Sequence, residues 1–184
     1  MLCGCSDSGL DERERDTADV KVTINKEPFS LDVFAELLPL AQKCWNESTE
    51  FKGQTCAYYG DRDFEIEPDK EAYQRLADQG SLVMVMLRDE GKLQGYVVGF
   101  LYHSLHHKKI LCGIGDNIYV EPDYRAYTAV VAERFEKEMK SLGVKIIGWP
   151  VHMNGPVYEL LKARGYVGDD IVMEKRLRSD KECV

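Results

Sequence analysis

The residues best equipped for chemistry lie between Asp116 and Val130. Asp116-Asn117-Ile118-Tyr119-Val120 reads as a strand and Glu121-Pro122-Asp123 as a turn, and after Tyr124-Arg125 a helix is expected from about Tyr127 to Leu142. A strand, a tight turn and a helix N-terminus in that order make a phosphate cradle. The unpaired amides of the first helical turn and the positive end of the helix dipole face whatever lies above the turn. Arg125 would pair with a phosphate, and the Thr128 hydroxyl would donate one hydrogen bond. Without a ligand, Arg125 is equally a surface charge, and Ala126–Val130 simply starts a helix.

Strand alternation puts Asp116 on the same face as Ile118 and Val120. A carboxylate in a largely apolar cleft holds its proton to higher pH, which suits it to general-base work; in open solvent it is only the end of a strand. Glu121 is the alternative base. His103, His106 and His107 cluster in one turn, but metal binding would need further ligands that the sequence does not identify, so a polar hairpin is expected and no metal. Cys3 and Cys5 lack a second ligand pair for the same purpose. His152 lines the cleft or sits in a loop, and Trp149, Tyr119 and Tyr127 read as core or cleft walls.

The elements that must position these groups follow from periodicity and capping. Residues 1–19 are small, charged and aperiodic and read as an arm, and 179–184 read as a tail. Val20–Ile24 alternates as a first strand. Ser30 caps a helix running to about Asn46, with Phe34, Leu37, Leu38, Ala41 and Trp45 on its apolar stripe. Glu47–Glu67 is left unassigned. Pro68-Asp69 opens a second helix that Gly80 stops. Leu82–Leu87 and Leu93–Tyr102 form a hairpin across Arg88–Lys92, and a further strand covers Ile110–Val120. Val131, Phe135, Met139 and Leu142 mark the buried face of the next helix. Then come a strand over Val144–Trp149, a helix capped by Asn154 and closed by Gly165, and a strand over Ile171–Leu177.

The order is strand, two helices, three strands, helix, strand, helix, strand. Val120-x-Pro122-x-x-Arg125 ahead of a helix resembles the acyl-CoA-binding core of the Gcn5-related N-acetyltransferases (GNATs), V-x-P-x-x-R-G-x-G-x-G/A. It is most similar to bacteriophage-encoded members, and the resemblance covers roughly residues 20–178. Ala126, Thr128 and Val130 stand where that pattern has glycines; their Cβ atoms crowd a pyrophosphate and disfavour positive φ.

The resemblance implies an α/β (α+β) GNAT-like acyl-CoA N-acyltransferase fold, a mixed and mostly antiparallel sheet flanked by helices in one domain over 20–178. It implies acetyl-CoA as cosubstrate, a primary amine as acceptor and a possible homodimer. The backbone of Ile118 and Val120 would hold the pantetheine. Arg125, Ala126, Thr128, Ala129 and Val130 would hold the pyrophosphate, and Asn154 would touch the cofactor. Asp116 would be the base. Many such enzymes place an acid tyrosine seven residues after the helix-opening asparagine. Gly165-Tyr166 fits the spacing from Asn154, but the seventh position is Leu161, and Tyr158, three residues earlier, is the substitute acid. The missing glycines and tyrosine equally fit a GNAT-shaped binding or structural protein, such as a phage component, that has lost CoA.

Composition agrees with either reading. The 184 residues are 44% apolar and 30% charged, an ordinary soluble globule. A net charge of −8 (24 basic against 32 acidic residues) repels nucleic acid and suits a cationic amine as well as it suits plain solubility. No apolar run reaches membrane-span length, and the six scattered cysteines read as reduced thiols, so a cytoplasmic protein is expected, in the host if phage-encoded.

Overall fold

The computed structural model describes residues 21–52, 66–151 and 155–168. The arm, the tail, the strand expected at Ile171–Leu177, His152, Asn154, Cys3 and Cys5 lie outside them. Five strands form one sheet in the order β1 (Val22–Lys26), β2 (Leu82–Asp89), β3 (Lys92–His103), β4 (Leu111–Val120), β5 (Ile146–Gly148). Neighbours are antiparallel except β4 and β5, which are parallel. Helices α1 (Leu31–Lys52) and α2 (Lys70–Asp78) join β1 to β2. A 3-10 turn (Pro122–Tyr127) and α3 (Thr128–Ser141) join β4 to β5, and α4 (Pro156–Ala163) follows. This is a GNAT-like α/β fold.

Local chemistry sets the boundaries. Ser30 caps α1, its Oγ accepting from the Val33 amide at 3.2 Å. The helix runs past Asn46 into the stretch that periodicity left unassigned, and it does so despite Pro39, which withholds the bond to the Ala35 carbonyl. Asp69 caps α2 through the Ala72 amide at 2.8 Å, and Gly80, at φ +66°, lies just beyond its end. Glu90 (φ +48°) and Gly91 (φ +83°) make the two-residue β2–β3 turn, where paired positive φ matches the twist of the strands.

The sheet buries both faces. On one, α1 and α2 cover Met84, Met86, Tyr96, Val98 and Tyr119 with Leu37, Leu40 and Ala41. On the other, α3 lays Val131, Phe135 and Met139, all fully buried, over Val83, Val85, Leu87, Val97 and Val120. Leu142, expected in that row, is the residue capping α3 and is 37% exposed. The strand expected at Val144–Trp149 is shorter, and the cap of α4 is Gly155 rather than Asn154.

Candidate active site

The register of β4 decides what its side chains can do. Val98 of β3 pairs with Asn117 while Gly99 pairs with Gly115, so Asp116 is an extra residue, a β-bulge. Up to the bulge, Gly113 and Gly115 face α3: a Cβ on Gly113 would meet Met139, and one on Gly115 would come within 2.5 Å of the Trp149 indole. Past it, Asn117 faces α1, its Oδ1 3.2 Å from the Cys44 thiol, while Ile118 and Val120 join the α3 face. Alternation from Gly115 therefore turns Asp116 toward α1 and α2, with Asn117 beside it. The expectation that Asp116 shares a face with Ile118 and Val120 is overturned, because one inserted residue reverses the parity of the strand.

The surroundings of Asp116 are unusual for a strand residue. The residue is exposed, yet enough protein surrounds its carboxylate that desolvation raises its pKa above the ordinary carboxylate value. It makes no hydrogen bond or ion pair among the described residues. Tyr73 of α2 is pushed up to about 12, first by burial and then by the Asp116 charge. Tyr96 of β3 is also raised, by burial above all, with Cys44, Tyr73, Asp116 and Tyr119 adding to it. A carboxylate that holds its proton to raised pH, is reachable from solvent and lies beside tyrosines can exchange protons with a group that reaches it.

The edge of β4 opens where the bulge lies. Among the described residues β5 pairs with β4 only from Cys112 to Ile114, and β5 ends at Gly148. Trp149 packs edge-on against Phe135, ring centroids 5.3 Å apart, and walls the fork from the α3 side. The Glu121 amide donates to the Gln94 carbonyl at 2.8 Å. By alternation the main chain of Ile118 and Val120 points the other way, to the edge that β5 leaves open. An extended chain can add there by main-chain hydrogen bonds.

The turn above that edge departs from the bare cradle. It is a 3-10 turn that runs directly into α3. The Thr128 amide and its hydroxyl (2.8 Å) both donate to the Arg125 carbonyl, so that hydroxyl is not free for a phosphate. The Arg125 guanidinium lies 2.6 Å from Glu47 of α1 instead of standing alone. Tyr119 donates to Glu47 at 3.1 Å and lies 3.4 Å from Glu121, which Lys43 pairs in turn. The two carboxylates help burial to hold the Tyr119 proton. Ala126 and Val130 are exposed, and Ala129 half-buried, along the N-terminal turns.

Tyr158 is half-buried on α4 and makes no hydrogen bond among the described residues. His103, His106 and His107 are exposed at the β3–β4 turn, and among the described residues no group is arranged to hold a metal ion. Arg164 clasps Glu136 through two bonds of 2.9 and 2.8 Å, tying α4 to α3. Periodicity places Tyr73 on the second helix with Ala72, Leu76 and Ala77, where the structure has it, but does not single out Cys44, Glu47, Tyr96 or Asn117. The one available signal was a tyrosine amid the valines of a core strand.

No family model matches the sequence, and no curated protein sequence matches it. Solved structures do. The aminoglycoside acetyltransferase meta-AAC0020 from an uncultured soil metagenomic sample, in complex with trehalose, superposes with a TM-score of 0.60 at 15% identity, covering 85% of this chain and 97% of that one. The fold is that of the Gcn5-related N-acetyltransferases. The ribosomal-protein-alanine N-acetyltransferase of Brucella melitensis biovar Abortus 2308 shares this GNAT fold with a TM-score of 0.58 at 15% identity, over 85% and 99% of the two chains. So does the aminoglycoside N-acetyltransferase AAC(6')-Iy in complex with CoA, with a TM-score of 0.61 at 12% identity over 87% and 97%. Among the described residues no helix is long and apolar enough to cross a membrane.

Proposed function

We propose that this chain is an N-acetyltransferase that moves an acetyl group from acetyl-CoA to a primary amine. One observation carries the reading: the open edge of β4 runs between an uncompensated carboxylate on the α1/α2 face and the N-terminus of α3 at its end. The GNAT fold and neighbours that are acetyltransferases, one of them bound to CoA, support it.

The edge amides of Ile118 and Val120 hold the pantetheine arm, and Arg125 with the segment Ala126–Val130, where the 3-10 turn meets α3, holds the diphosphate; the Thr128 amide must leave the Arg125 carbonyl to take part. Asn154 remains a candidate cofactor contact. Arg125 must exchange Glu47 for phosphate to do so. Asp116 takes a proton from the acceptor ammonium, directly or through water. The freed nitrogen lone pair forms the amide bond as the thioester C–S bond breaks, and the thiolate recovers a proton from Tyr158 or solvent. Amine, acetyl group and charge then balance: an ammonium and a thioester become an amide, a thiol and one proton. The neighbours' acceptors, by their names, are aminoglycosides and a protein alanine, so both small-molecule and protein amines belong in the screen.

Calorimetric titration with CoA tests the reading. Micromolar binding that Arg125→Ala abolishes supports it; silence at millimolar CoA removes it. A second reading is then favoured by the Arg125–Glu47 pair and the engaged Thr128: a GNAT-shaped binding or structural protein in which Glu47 of α1 takes the place of the anion.

A further inference from the structure

Tyr96 stands in a cluster with Leu37, Ala41, Met86 and Val98, almost wholly buried, and its hydroxyl is sealed from solvent with no hydrogen-bond partner among the described residues. A buried hydroxyl without a partner costs about 1–3 kcal/mol, and phenylalanine would fill the same space without that penalty. Its use must therefore be one that a bare ring cannot serve. Tyr119 of β4 belongs to the same cluster, Cys44 of α1 and Tyr73 of α2 pack against it, and the Asp116 charge on β4 helps burial to hold the Tyr96 proton. Two of them are engaged elsewhere. Tyr119 donates to Glu47 at the rim, and Cys44 meets Asn117 at 3.2 Å. Asp116 has no partner among the described residues and is an acceptor; Tyr96 holds a donor. The bulge brings the two to one face of the sheet, from adjacent strands.

We propose that Tyr96 is a positioning residue for Asp116, its hydroxyl donating through one bridging water to the carboxylate and fixing the direction in which that carboxylate meets the acceptor amine. The role rests on Asp116 being the base. A single water spans two such groups at small entropic cost and leaves the outer carboxylate oxygen to the substrate. Tyr73 faces the same carboxylate from α2 but is less deeply set, and it serves as the control.

The test is a carbon-13 NMR titration of the Asp116 carboxyl in the full chain, assigned with Asp116→Asn. Removing a donor that favours the ionised form raises the midpoint. Tyr96→Phe is expected to move it up by about one unit, and Tyr73→Phe by less. An unchanged midpoint in a Tyr96→Phe protein with the wild-type melting temperature overturns the proposal. Should that variant not fold, the Tyr96 ring carbon bearing oxygen decides in the wild type: its shift must follow the Asp116 titration and go flat in Asp116→Asn. A ring carbon indifferent to Asp116 overturns the proposal. Neither readout needs acetyl-CoA, so a chain that binds no CoA removes the catalytic reading and leaves the Tyr96–Asp116 link to be judged separately.

Discussion

The guanidinium of Arg125 and the carboxylate of Glu47 meet at 2.6 Å, joining the turn after β4 to the helix on the opposite side of the sheet edge. Both side chains are about half exposed, so the pair contributes at most about 1 kcal/mol and yields to a better anion. Glu47→Gln is therefore expected to tighten CoA binding up to about fivefold by calorimetry. Arg125→Ala is expected to weaken it by about 10–100-fold. Unchanged affinity in Glu47→Gln would mean that the two do not compete.

Asp116→Asn should lower kcat by about 10²–10⁴-fold with the KM for acetyl-CoA unmoved. As the proposed base, Asp116 would work ionised, so the acid limb of kcat/KM in the wild type should fall away at a pH above the usual carboxylate range, and activity should rise as pH rises through it. An equal loss in kcat and in cofactor affinity would take Asp116 out of the mechanism.

The same shift has a signed consequence for stability. A carboxyl whose folded pKa is raised favours the folded state in its protonated form, and that advantage is lost as pH rises through the folded value. Asp116→Asn is thus expected to melt higher than wild type at neutral pH, and the gap should close below about pH 4. Melting curves at both pH values check the sign.

Gly115 has room for hydrogen alone, since a Cβ there would sit 2.5 Å from the Trp149 indole. Gly115→Ala should cost about 1–3 kcal/mol in urea unfolding and push Trp149 away from the fork. Tryptophan fluorescence should shift with it; a variant of wild-type stability and spectrum would refute the packing account.

Phe135 is fully buried and supports Trp149 edge-on. Phe135→Ala is expected to cost about 3–5 kcal/mol. Because the lost ring supports Trp149 at the fork, CoA affinity should fall in the same variant while Asp116 still titrates above the normal range.

Much of the architecture could be read from local signals. Ser30, Asp69, Gly80, Gly91 and Gly165 each act where a cap or turn was expected, because such chemistry depends on near neighbours in the chain. Helix α1 ran six residues beyond expectation, to Lys52 rather than Asn46, where the apolar stripe that marks a helix fades. The site was less legible for a different reason. The bulge is a property of two strands in register, and no pattern within β4 announces it. Likewise Glu47 is 78 residues from Arg125 in sequence, so their pairing depends on how α1 crosses the sheet. Alternation, correct on either side of Asp116, gave the wrong face for the residue that mattered most.

That surplus residue in β4 has an evolutionary reading. Opposite Val98 the strand carries two side chains where the ladder requires one, so position 116 has no partner on β3 to keep in step with it. Its side chain is therefore free to be exchanged, acid for amide or for a hydroxyl, without retuning the valines and leucines packed beneath α3. A scaffold built this way can change the group it presents at position 116 by changing one codon.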